Sequence, residues 1–251
     1  MKLLQTDLNT IAQWEETWLM EFNVGKCFTM RVGRQRGKSK FDPPSYTLHG
    51  QVLTLTESTK YLGLTLTSDL KWNKHIQNIT AKSYSVLGLL RRNLRVGSTD
   101  LKVRAYQALV RPHMEYACTV WDPHTQCNIR KLEMVQRRAA RYVCNRWHNT
   151  SSVAEMLGQL EWESLEHRRL NARLCTMYKI MHGAAQIPWQ QHLTHSTRTT
   201  RRSHAWRLTP LLPHNDTYKY SFLPRTIVSW NSLPPDVLSK PSLEAFRAAL
   251  P

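Results

Sequence analysis

At 251 residues and 41% hydrophobic content, the chain can bury a core as one large domain or two small ones, which excludes a disordered tail. A formal charge of +17 and a pI near 10.0 exceed what solubility asks of this size and point to a polyanionic partner, nucleic acid above all. The five cysteines form no CxxC pair, the first 18 residues lack the apolar core of a signal peptide, and no apolar run approaches the roughly 20 residues of a membrane span, so the chain is expected in the cytoplasm or nucleus, neither secreted nor in a membrane.

The charge is uneven. Residues 1–60 carry 8 basic and 6 acidic side chains, 61–150 carry 15 and 5, and 151–251 carry 12 and 7, so the middle third holds most of the excess.

Leu4, Leu8, Ile11, Trp18 and Phe22 recur at helical spacing, with Glu15, Glu16 and Glu21 available to water, and predict a helix over about 3–20. Phe28, Met30 and Val32 then alternate with more polar neighbours in a strand over 26–32, followed by a basic loop from Gly33 to Ser45 broken by Pro43-Pro44. Thr-, Val- and Leu-rich runs at 46–48, 51–56 and 61–67, with a His49-Gly50 turn, predict a small antiparallel sheet.

From Trp72 the period changes. Ile76, Ile79, Leu87 and Leu90 keep helical spacing up to Asn93. Ser98 caps a second helix carrying Leu101, Ala105, Ala108 and Leu109, with a kink at Pro112, and a third runs from Asn128 to Asn145 on Leu132, Val135, Ala139 and Tyr142. Ser152 and Glu155 have capping-box spacing for a short helix. Ser164 opens another on Leu165, Leu174, Met177 and Met181, stopping at His182-Gly183. Residues 192–207 lack periodicity and read as a linker or a segment that orders on binding, and 221–250 offers two short helices parted by Leu233-Pro234-Pro235. Trp14, Trp18 and Trp230 sit at apolar helical positions and are assigned to core packing. The fold class is therefore α+β and mostly helical, a small antiparallel β part followed by helical regions, divided as 1–70, 71–150, 151–191, 192–220 and 221–251.

Arg91 and Arg95, four apart, can share a helix face, with Arg92 beside them. Arg137 and Arg141 repeat that spacing, with Arg130, Lys131 and Arg138 close by. Few acids are interleaved, so these faces suit a phosphate backbone, which is bound by charge and not by sequence. Arg168, Arg169 and Arg173 have Glu161, Glu163 and Glu166 nearby and read as a solvated, salt-bridged surface. His124-x-x-Cys127 and Cys144-x3-His148 fall short of the two tight ligand pairs of a structural zinc site.

Five motifs in one order, WxxxWxMEFNxxKC, KYLGLTLTSDLKWNKHI, ALVRPHMEYACTVWDPHT, KLEMVQRRAARYV and SFLPRTIVSWNSLP, cover nearly the whole chain and resemble the C-terminal part of a jockey-like non-LTR (LINE) retrotransposon reverse transcriptase, an RNA-directed DNA polymerase. The resemblance implies that 1–70 is a remnant of the palm with a primer-grip hairpin at Lys60, Tyr61, Leu62 and Gly63. It implies a helical thumb at 71–150 and RNA and DNA, as primer–template, for partners. Lys26 would occupy the place of the lysine that protonates the leaving pyrophosphate; taken alone it is a solvated lysine at a strand start. The intact family holds two Mg²⁺ on palm carboxylates that include an aromatic-x-Asp-Asp turn. Those metals must bridge the attacking hydroxyl and the departing phosphate, so convergent carboxylates are indispensable. The seven Asp here, at 7, 42, 69, 100, 122, 216 and 236, include no adjacent pair. The expectation is a chain that starts just past the catalytic turn, without the N-terminal polymerase region. It would hold no cofactor, be inactive alone, have Lys26 as its one general-acid candidate, and bind nucleic acid through the thumb. The alternative is a host-retained, non-enzymatic nucleic-acid-binding or interaction protein derived from a retroelement.

Overall fold

The computed structural model describes residues 2–33, 45–148, 150–185, 187–188, 191–196 and 206–251. The chain divides into two compact units, residues 1–75 and 76–251. No helix among the described residues is long and apolar enough to cross a membrane.

The first unit opens with α1 (Lys2–Trp18), followed by the short strands β1 (Phe28–Thr29), β2 (Thr47–Leu48), β3 (Gln51–Val52), β4 (Thr54–Leu55), β5 (Ser58–Tyr61) and β6 (Leu64–Thr67). Gln5 joins the helix to β2 in the manner of a strand neighbour: its Nε2 donates to the Thr47 carbonyl at 2.9 Å and its Oε1 accepts the Thr47 N–H at 3.0 Å. The buried Glu15 carboxylate accepts the Phe22 N–H and lies 2.6 Å from His49 Nε2. In place of the expected single antiparallel sheet, the strands form three separate pairs: β2–β3 and β5–β6 are antiparallel hairpins and β1–β4 is parallel. Period-two alternation marks extended backbone but names no partner, and strands of two residues are too short to extend a ladder. The long strand expected over 26–32 shrinks to β1, with Phe28 and Val32 both half exposed. Trp14 and Trp18 are likewise not core residues. They are 44% and 63% exposed and pack on each other, with Trp14 also on Phe22, because the few short strands offer no surface wide enough to cover the helix face. The basic loop expected over 33–45 lies mostly outside the described residues.

Helix α2 (Asn73–Asn93) begins at the end of the first unit, and in the second it leads to α3 (Thr99–Ala105), whose N-cap Ser98 accepts the Leu101 N–H at 3.3 Å. The inner face of this helix is Lys102, Tyr106, Val110 and Met114, while Leu101 and Leu109 are 45% and 51% exposed; the apolar face expected on Leu101, Ala105, Ala108 and Leu109 is the outer one. Lys102 misleads a hydropathy count because its stem is buried while its ammonium lies 5.4 Å over the Tyr142 ring. The kink expected at Pro112 takes the form of a wide π turn over Tyr106–Val110, with the Arg111 N–H reaching back to the Tyr106 carbonyl, before α4 (Arg111–Glu115). Proline has no N–H for the carbonyl four residues earlier and its ring would collide with it, so the turn widens.

After α5 (Cys118–Trp121) come α6 (Gln126–Cys144), α7 (Val153–Gln159) and α8 (Leu165–Met181). Leu132, Val135, Ala139 and Tyr142 of α6 are buried, as are Leu165, Leu174, Met177 and Met181 of α8. Ser152 and Ser164 accept the N–H three residues on, at 3.3 and 3.1 Å, as their caps predict. After α9 (Asp216–Lys219), which lies in the stretch expected as linker, three short helices stand over 221–250 where two were expected: α10 (Phe222–Asn231), α11 (Pro235–Leu238) and α12 (Leu243–Ala248). Trp230, Ile227 and Phe246 pack with Leu174 and Met177 of α8 in one core, together with Leu193 and Leu208. Those last two leucines correct the expectation of a linker over 192–220. His195 bridges Leu208, and both leucines are buried in the core that α8 and α10 share, so both ends of that stretch are ordered; 197–205 lie outside the described residues.

At the centre of this unit, Asp122 follows α5 and is buried beneath three arginines. Arg169 Nε donates to Oδ1 at 2.7 Å, Arg173 Nε lies 2.9 Å and Arg225 Nη1 3.0 Å from Oδ2, and Arg225 also donates to the Asp122 carbonyl at 2.9 Å. Arg169 and Arg173 are therefore interior, not the solvated surface the glutamates at 161, 163 and 166 suggested, and Arg168 pairs with Glu115. Desolvation costs each buried guanidinium several kcal/mol, and the one carboxylate holds them. We expect Asp122→Asn to destabilise the protein by about 3–5 kcal/mol, the cost of stranding buried charge. Urea denaturation followed by far-UV circular dichroism would measure it, and a loss under about 1 kcal/mol would mean that the cluster is solvated.

Candidate nucleic-acid interface

Of the basic residues singled out for nucleic acid, all but Arg95 fall on two neighbouring helices, α2 and α6. Tyr142 Oη of α6 donates to the carbonyls of Leu90 and Leu94 at 3.2 and 3.3 Å, and the Arg138 guanidinium lies 4.7 Å over the ring of Tyr84 on α2. The C-terminal ends of α2 and α6 therefore lie together. Arg91, Arg92, Arg95, Arg130, Lys131, Arg137 and Arg138 are exposed and Arg141 is half buried. None of the eight forms an ion pair among the described residues. The reason is local composition: α2 contains no Asp or Glu, and the single acid of α6, Glu133, turns inward to accept the Glu166 N–H at 2.9 Å.

Two details differ from what the spacing predicts. Helix α2 ends at Asn93, so Arg95 lies beyond it and does not share a helical face with Arg91. Arg141 is committed to structure, donating from Nη1 to the carbonyls of Arg146 and His148 at 3.4 and 3.2 Å. That interaction secures the segment after α6, where Asn145 takes the left-handed conformation that stops the helix. Within that segment Trp147 is 44% exposed, with the Arg91 guanidinium 4.4 Å over its ring.

The hairpin residues Lys60, Tyr61, Leu62 and Gly63 lie at the tip of β5–β6, where Tyr61 faces Leu64 across a two-residue turn. Leu62 and Gly63 both have positive φ, 45° and 85°, the geometry of a type I′ turn. Glycine accepts this freely, while leucine does not, and Leu62 is 72% exposed. Within the first unit the hairpin is anchored by the Thr65 N–H, which donates to Nδ1 of the buried His75 at 3.2 Å. Lys26 ends a short 3₁₀ turn, Val24–Lys26, and is exposed. Among the described residues no three His, Cys, Asp or Glu side chains converge and Asp122 is committed to its arginines, so the described residues do not fit a two-Mg²⁺ centre.

No protein-family model and no solved structure matches the chain. Curated proteins do. The RNA-directed DNA polymerase from mobile element jockey of Drosophila melanogaster is 25% identical over 146 residues, 56% of this chain and 15% of its own length. The probable RNA-directed DNA polymerase from transposon BS of the same species is 29% identical over 148 residues, 56% of this chain and 16% of its own length. The chain is related to the reverse transcriptases of non-LTR retrotransposons. It spans about 15% of the length of these reverse-transcriptase relatives. An uncharacterized protein of Caenorhabditis elegans is 28% identical over 120 residues, 47% of this chain and 61% of its own length. Sequence reasoning missed Trp147 and Tyr84 as neighbours of the basic face. The one signal for Trp147 was the pair Arg146-Trp147 directly after a helix rich in arginine.

Two measurements probe the hairpin. Replacing Leu62 with Asn, which tolerates positive φ, should raise stability by up to about 1 kcal/mol, and an unchanged or lowered melting temperature would show that the leucine is not strained. Burial holds the pKa of His75 below its ordinary 6.5, so the folded chain keeps it neutral while the unfolded chain protonates it as pH falls below that value. The stability it supports is fully present above pH 6.5 and drains away below it. Melting curves from pH 7.5 down to 5.5 should fall less steeply in His75→Asn than in the parent; parallel curves would show His75 to be free to protonate in the fold.

Proposed function

We propose that this chain is a reverse-transcriptase-derived module that holds primer–template nucleic acid by its backbone and carries out no polymerisation itself. The observation that carries the reading is the face of α2 and α6, on which Arg91, Arg92, Arg95, Arg130, Lys131, Arg137 and Arg138 stand without acidic partners among the described residues. A surface of unneutralised cations binds phosphates by releasing condensed counterions, which requires no base recognition. In this reading residues 71–150 serve as the thumb, and the β5–β6 tip at Lys60 to Gly63 serves as the primer grip on a remnant of the palm. RNA and DNA are its partners.

A second reading, a non-enzymatic host protein derived from a retroelement, is favoured by the short Caenorhabditis elegans relative, 61% of which is matched. It assigns the same face to the same ligand and differs only in what the bound nucleic acid is for.

Binding of a fluorescein-labelled RNA·DNA hybrid, followed by anisotropy at increasing salt, tests the proposal. Log Kd should change linearly with log salt, and the double substitution Arg92→Ala/Arg137→Ala should reduce the slope by roughly 2, close to 0.9 for each phosphate left without its arginine. A flat salt dependence, or a slope the double variant leaves unchanged, would refute binding through this face. Incorporation of dNTPs by the purified chain with Mg²⁺ would refute the absence of polymerisation.

A further inference from the structure

The face formed by α2 and α6 contains one aromatic ring whose setting a phosphate clamp alone does not require. Trp147 follows the left-handed Asn145 and belongs to no helix, yet two arginines fix it: Arg141 binds the carbonyls on either side of it, at Arg146 and His148, and Arg91 lies over its ring at 4.4 Å. The buried tryptophans of this unit behave differently. Trp121 and Trp230 are fully buried, and their indole N–H groups donate to the carbonyls of Tyr116 and Trp206 at 2.8 and 2.9 Å. Trp147 instead leaves 44% of its surface open among exposed basic residues.

Resting on the nucleic-acid reading above, we propose that Trp147 and Arg91 form a stacking site for an unpaired base, so that the face takes a single-stranded segment or a frayed end in addition to duplex backbone. The chemistry is complementary in two parts. The indole offers a π surface on which any base can lie, while the guanidinium over the same ring keeps its edge N–H groups for the neighbouring phosphate. Fixing the ring beforehand lowers the ordering cost of binding, which is what the Arg141 tether accomplishes. A base inside an intact duplex has its faces occupied by its neighbours and cannot use the site.

The experiment compares three labelled ligands on the full chain by anisotropy: a mixed-sequence single strand, a strand of equal length built on abasic sugars, and a blunt duplex. Trp147→Ala should weaken the single strand by about fivefold or more, the lower range for one base stack, and leave the abasic strand and the duplex within about twofold. Trp147→Phe should restore most of the loss, and Arg91→Ala should weaken all three, since phosphate binding is common to them. Melting curves of the variants check that the fold is intact, as expected for an exposed position. Equal losses on all three ligands in Trp147→Ala, or no loss on the single strand, would overturn the stacking site while leaving backbone binding standing. Failure of the parent chain to bind any of the three would overturn the nucleic-acid reading and the stacking site with it.

Discussion

The second unit depends on a single carboxylate. Asp122 lies at the meeting of α5, α8 and α10, and each of its two oxygens is taken by guanidinium groups from helices distant in sequence. Arg169 and Arg173 carry their guanidinium groups into the interior. Their desolvation is therefore offset only where a carboxylate meets them with good geometry, and that requirement fixes α8 against the turn after α5. Arg225 adds two main-chain carbonyls to its share of the same carboxylate, at Asp122 and Pro123, and so holds α10 in register with both. The apolar packing of Trp230, Ile227 and Phe246 on α8 could tolerate some sliding. The charges could not.

That inward commitment of acids has an outward consequence. Of the five acidic side chains between residues 61 and 150, Glu115 pairs with Arg168 and Arg111, Asp122 with its three arginines, and Glu133 with the start of α8. The other two act locally: Asp69 accepts from Thr67 and the Lys71 N–H, and Asp100 pairs with Arg104 one turn on. None pairs with a cation on the face of α2 and α6. The positive face is thus not merely a matter of many arginines. It follows from where the few carboxylates are placed, which makes it a property of the fold as much as of composition. A folded chain with its acids elsewhere could carry the same net charge and present no such surface.

Much of this was legible in the sequence and some was not, for reasons that differ by residue. Caps at Ser98, Ser152 and Ser164, the stop at Asn145 and the turn at His49-Gly50 are local events, fixed by side chains that bond to their own backbone neighbourhood. Helix periods were readable for α2, α6 and α8 because apolar side chains predominate on their inner faces, although Ser83, Gln136 and Arg169 are buried among them. For α3 the inner face includes Lys102 and Tyr106, and a rule that equates charge with solvent chose the opposite side. The three arginines of α8 failed for a related reason. Their glutamate neighbours in sequence suggested local pairing, whereas the partner of the two buried ones was Asp122, 47 residues before Arg169, and no local pattern can register an ion pair of that span.

The first unit shows the same limit from the other direction. Period and spacing identified α1 correctly, yet amphipathicity states only that a face is apolar, not that anything covers it. Three two-stranded pairs bury Leu48, Leu53 and Leu64 and leave Leu3, Trp18 and Leu19 open, with an apolar groove of about 370 Å³ lined by Leu4, Leu8, Phe28 and Leu55. Isolated hairpins of this size are marginal in water, and what secures these is polar: the Gln5 amide on Thr47, the Glu15 carboxylate on His49 and Phe22, and the His75 ring on Thr65. Directional bonds of that kind set the register of short strands where the hydrophobic pattern is too brief to do so. The strained Leu62 at the hairpin tip is tolerated on those terms, since the ladder from Ser58 to Thr67 and the His75 hydrogen bond hold the two strands on either side of it.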